Sequence, residues 1–162
     1  MSSTVTKTIA GFITGALAVV IFHQGMYWVL PKLGVPLQGT PWNMAANKAA
    51  FNLPVVVNLM FWGGLWGIVY AFLADHLPGR QGWLKGFLFG CLFPMLLGSW
   101  LVVALVKGQP VLSGLLIDNN LMRLRPGFLL NGAAFGIGLG LLYPLLAGLF
   151  GGKGSRVSGR DY

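Results

Sequence analysis

The chain contains no glutamate, and its acidic residues number three among 162. That leaves little for metal binding or general acid–base chemistry, and no paired carboxylates stand out. There is one cysteine, Cys91, inside an apolar run. One thiol forms no internal disulfide, and no CxxC or Cys/His metal spacing accompanies it. Charged residues make up 9% of the chain, against about 25% in an ordinary soluble domain. So little charge cannot dress a water-facing surface. Nucleophile elbow, phosphate loop and HExxH motifs are all missing, so nothing marks an enzyme and no catalytic residue is named.

What is present is apolar and rich in glycine. Hydrophobic residues make up 56% and glycines number 25. Each glycine costs about 1 kcal/mol relative to alanine in a soluble helix, whereas in lipid it lets backbones approach closely. Net charge is +8, but the basic residues sit singly at the ends of apolar runs. They read as snorkelling or headgroup contacts, not as a nucleic-acid surface.

Crossing a bilayer takes about 20 apolar residues. Four stretches qualify, at about 8–30, 55–77, 84–106 and 127–150. The fold class expected is an all-α integral membrane bundle of four transmembrane helices over residues 1–150, with a flexible basic tail at 151–162. The first stretch follows Lys7 as a signal peptide would. It runs into the bulky Met26-Tyr27-Trp28, which reads as a retained helix with an interfacial aromatic anchor. The turn Pro78-Gly79-Arg80-Gln81-Gly82 makes the second and third helices antiparallel neighbours. Residues 42–51 and 111–122, in the longer connections, are expected to form short interfacial helices. Six basic residues flank the spans on the side of both termini and five on the other, which places both termini in the cytoplasm.

Asn58 over Asn131 aligns the second helix with the fourth at an offset of 73, matching Gly63 with Gly136, Gly67 with Gly140 and Tyr70 with Tyr143. Gly11 over Gly86 aligns the first with the third at an offset of 75, matching Gly15 with Gly90. Two readings fit: a tandem duplication of a two-helix hairpin, or two glycine-rich hairpins sharing only membrane composition. The helix-packing candidates are Gly11, Gly15, Gly63, Gly67, Gly82, Gly86, Gly90, Gly132, Gly136 and Gly140, spaced four apart on helix faces. Pro94 and Pro144 are expected to kink their spans.

His23, Gln24, Asn58 and Asn131 form the candidate polar cluster, all near the non-cytoplasmic surface. It reads either as an outward-opening pocket or as interhelical hydrogen bonds holding the bundle. No cofactor is expected, the open alternative being haem or quinone at His23. Asp75 is expected to pair with Arg80 or Lys85 across the tight turn. Arg123, Arg125, Lys153 and Arg156 are lipid-headgroup candidates. The partners expected are membrane lipids and other membrane-protein subunits or a second copy.

At Phe22-His23-Gln24-Gly25 and Phe61-Trp62-Gly63-Gly64-Leu65-Trp66-Gly67, with Asn131-Gly132 later, the sequence resembles an uncharacterised family of small four-helix bacterial inner-membrane proteins. The resemblance implies that membrane and brings no activity. The function expected is a non-catalytic accessory or scaffold subunit of an inner-membrane complex. The alternative is a small oligomeric transporter or channel using the polar cluster.

Overall fold

The computed structural model describes residues 3–37, 39–48, 51–102, 105, 108 and 126–150. Four helices dominate it. We label them α1 (residues 3–33), α2 (Val55–Leu73), α3 (residues 82–102) and α4 (Phe128–Phe150). Three of them, α1, α2 and α4, are long and apolar enough to cross a membrane, so the chain is a membrane protein. In α3 the apolar stretch Gly82–Gly98 is shorter.

The helices are not uniform. α1 widens to π-type hydrogen bonding at Val19–His23 and tightens to a 3₁₀ turn at Leu30–Leu33, ending on Gly34 in the left-handed conformation. π-type bonding also runs through Cys91–Val102, where Pro94 lacks an N–H to continue a regular ladder, and through Phe128–Gly136.

Glycines set the helix spacing. A β-carbon on Gly11 would lie 2.6 Å from the Gly67 carbonyl oxygen, and one on Gly15 would overlap the Gly63 carbonyl. α1 and α2 therefore cross antiparallel with backbones touching. α3 and α4 do the same: a β-carbon on Gly82 would lie 2.5 Å from the Gly140 carbonyl oxygen, and one on Gly86 would overlap the Gly136 carbonyl. Between the pairs lies an aromatic core. Phe89 of α3 meets Trp66 and Tyr70 of α2 edge to face at 6.4 and 5.2 Å. Tyr70, Phe89, Phe135 and Leu139 are all buried there with Ala18 and Val19. Phe22 of α1 packs on Gly138 of α4.

Two local expectations are corrected. Residues 42–47 and 51 are not helical, against the interfacial helix expected over 42–51. They lead into a two-stranded antiparallel hairpin, β1 (Ala46–Asn47) with β2 (Leu53–Pro54). Trp42, Phe51 and Asn52 are left-handed there, a conformation no helix accepts. Asp75 pairs with neither Arg80 nor Lys85. Its carboxylate takes the Lys7 ammonium at 3.2 Å, while Lys85 donates to the Ala74 carbonyl at 2.8 Å, capping the end of α2. The expected helix at 111–122, residues 103–104, 106–107 and 109–125, and the tail 151–162 lie outside the described residues.

Candidate functional site

His23 and Gln24 occupy adjacent positions where the π-type segment of α1 returns to regular helix. The wide turn matters locally. The Gln24 backbone N–H bonds to the carbonyls of Val19 and Ile21, passing over Val20. The Val20 carbonyl accepts instead the indole N–H of Trp42, at 2.9 Å.

The Gln24 side chain is buried at 3% exposure, where an amide needs partners. Its Oε1 accepts the backbone N–H of Trp42 at 2.7 Å, which fixes the orientation of the amide. Nε2 is then the donor, and it lies 3.1 Å from His23 Nδ1. Nδ1 accepts, so the imidazole proton resides on Nε2. The His23 ring stacks on Tyr27 one turn later, with centroids 6.4 Å apart. Within this network neither ring nitrogen presents a free lone pair. That argues against His23 as an axial haem ligand.

This network pins the α1–α2 connection to α1; it does not gather the four candidates. Asn58, in the first turn of α2, and Asn131, in the π-type start of α4, are half-buried. Among the described residues no hydrogen bond joins either of them to His23 or Gln24. Among the same residues no three His, Cys, Asp or Glu side chains come together as a metal site. At the opposite end, Lys7 and Asp75 form their ion pair beside Tyr143, whose hydroxyl donates to the Ala71 carbonyl at 3.4 Å.

The packing glycines meet in two matched sets. Gly11 faces Gly67 and Ala71, and Gly82 faces Gly140 and Pro144. Gly15 faces Gly63, and Gly86 faces Gly136. Gly132 faces Cys91, its β-carbon position 2.5 Å from Sγ, and Gly90 faces the backbone of Asn131 and Gly136. The contacts made by α1 thus recur in α3 at positions 71 later, and those made by α2 recur in α4 at positions 73 later. The second offset is the one the sequence alignment uses. The first is one helical turn short of the 75 that aligns Gly11 with Gly86. Glycines recurring every four residues let the alignment slip by a turn without losing a match.

Trp42 is the residue that sequence reasoning missed. Its only signal is its place between Pro41 and Asn43, which disfavour helix. Thr14 is the other: fully buried on α1, it bonds the Ala10 carbonyl at 2.6 Å. Arg123, Arg125, Lys153 and Arg156 lie outside the described residues. No protein-family model matches the chain, and no curated protein or solved structure matches it.

Proposed function

We propose that the chain is a four-span bundle of two tandem hairpin units, acting as a non-catalytic accessory or scaffold subunit of a bacterial inner-membrane complex. The matched glycine contacts support the duplication. Two units with the same up–down order are related by an axis along the membrane normal, and α3 then crosses as the counterpart of α1. The inner membrane rests on the sequence resemblance, and cytoplasmic termini on the distribution of basic residues.

One observation carries the functional reading: most of the charged and polar side chains described near the span ends of α1 and α2 are engaged inside the chain. Gln24 holds Trp42 and His23, Lys7 holds Asp75, and Lys85 caps α2. The glycine faces are covered internally as well. What faces outward is large and apolar, including Phe61, Trp62 and Phe72 on α2 and Leu141, Leu145 and Leu149 on α4. Such a surface suits lipid or a neighbouring helix. Deleting the protein should weaken assembly of a larger membrane complex while leaving that complex's own cofactors in place. Catalysis or transport by the purified chain alone, at a physiological rate, contradicts this reading.

A small oligomeric transporter or channel is the second reading, favoured by one observation. Asn58 and Asn131 correspond across the offset of 73 and are both half-buried. Two equivalent amides near one face suit a shared polar path. Asn58→Leu with Asn131→Leu should then abolish flux in proteoliposomes, and unchanged flux rejects that path.

A further inference from the structure

We propose that residues 39–48 and 51–54 form a re-entrant element that lies among the acyl chains of the bilayer. This rests on the chain being a membrane protein and goes beyond it.

The depth follows from helix register. Gly15 faces Gly63 and the helices are antiparallel. His23, eight residues after Gly15, is therefore level with Val55, eight residues before Gly63. Two charged markers bracket α1. One is the Lys7–Asp75 ion pair. The other is Lys32, whose ammonium sits over the Trp28 ring at 2.9 Å, a pairing typical of an interfacial anchor. At about 1.5 Å per residue, Lys7 and Lys32 are roughly 37 Å apart along the helix. A hydrocarbon core of about 30 Å fits between them. His23 lies roughly 14 Å inward of Lys32 on the same scale. Val55 shares that depth, and so does the base of the hairpin, Leu53–Pro54, directly before it. Trp42, bonded to Gln24 and to the Val20 carbonyl, reaches at least as deep.

Irregular backbone survives at such depth only if its polar groups are satisfied by protein. Five N–H groups of the loop and the start of α2 are satisfied in this way. Trp42 N–H goes to Gln24 and Ala45 N–H to Asn43 Oδ1 at 2.8 Å. Asn52 N–H reaches Asn47 O, and Val55 and Val56 donate to the carbonyls of Ala45 and Asn43 at 3.1 and 3.0 Å. The Asn43 side chain turns inward to the backbone. The apolar side chains turn out: Met44 is 68% exposed and Phe51 96%, with Trp42 and Leu53 also exposed. Phe51 holds a left-handed backbone while its ring touches almost nothing in the chain. Acyl chains are the matching occupant at that depth. Lys48, the exposed cation of the hairpin, has a stem long enough to snorkel toward the headgroups.

The test places an environment-sensitive fluorophore on Phe51→Cys, Met44→Cys, Phe61→Cys or Asp75→Cys, one at a time, in a Cys91→Ala background. The full-length protein is reconstituted in phosphatidylcholine vesicles with or without bromines midway along the acyl chains. Position 61, exposed on α2 two residues before Gly63, reports the middle of the spans, and position 75 reports the aqueous boundary. The expected result is a loss of fluorescence in brominated lipid at 51 and 44 approaching that at 61, with little loss at 75. Quenching at 61 without quenching at 51 and 44 overturns the proposal and leaves the spans intact. Absence of quenching at 61 overturns the membrane reading and the proposal together.

Discussion

Tyr70 and Tyr143, 73 positions apart in the chain, meet edge to face with ring centroids 5.6 Å apart. Positions related by the proposed repeat thus touch each other, as residues do when they straddle a two-fold axis. Their contact ties α2 to α4 at the centre of the bundle, beside Phe89. Tyr70→Leu and Tyr143→Leu should each lower stability. A double-mutant cycle should return a coupling of about 0.5–1.5 kcal/mol for the ring pair. Thermal unfolding in detergent, followed by loss of monodispersity, measures it. A coupling of zero means the rings are neighbours without consequence.

The glycine contacts predict an order of severity that separates the two possible registers. A β-carbon intrudes on a facing carbonyl more at Gly15 than at Gly11, and more at Gly86 than at Gly82. Under the packing register, Gly86→Ala should resemble Gly15→Ala, each costing about 1–3 kcal/mol from overpacking. Gly82→Ala and Gly11→Ala should both be milder. If Gly86→Ala instead resembles Gly11→Ala, the sequence register of 75 is the better description. Gly25→Ala, with nothing within 4 Å of the added carbon, serves as the neutral control.

Trp42→Phe keeps most of the apolar surface and removes the indole N–H. The Val20 carbonyl then loses that donor in the middle of a span, a loss of about 1–3 kcal/mol. Gln24→Leu should cost at least as much, because it strands both the Trp42 N–H and His23 Nδ1. Phe51→Ala should leave the unfolding temperature in detergent micelles unchanged. A Trp42→Phe protein as stable as the parent would show that the loop is not held by this bond.

The long-range order of the fold was partly legible in residue order. Apolar run lengths located α1, α2 and α4, and placed the start of α3, because a helix in lipid has little choice but to be apolar throughout. α2 ends at Leu73 and not near Leu77. The turn there follows from Pro78 and Gly79, the latter at φ 106°. The loop between α1 and α2 was not legible. Met44, Ala45 and Ala46 are helix-compatible, whereas tertiary bonds to Gln24 and the Val20 carbonyl hold the left-handed Trp42 in place. Gln24 likewise reads as an intramembrane amide seeking another helix, whereas its partner is a loop residue 18 positions away. Asp75 found Lys7 because α1 begins where α2 ends, a proximity that local turn chemistry does not encode.

We propose that this chain serves a larger membrane complex as a non-catalytic subunit. Gentle affinity purification from native membranes, with the product sized and its subunits identified by mass spectrometry, tests that most directly. Stoichiometric co-purification with a larger membrane complex is expected, lost when outward residues such as Phe61 and Phe72 are replaced. A clean small homo-oligomer with no companion would contradict it and move attention to Asn58 and Asn131.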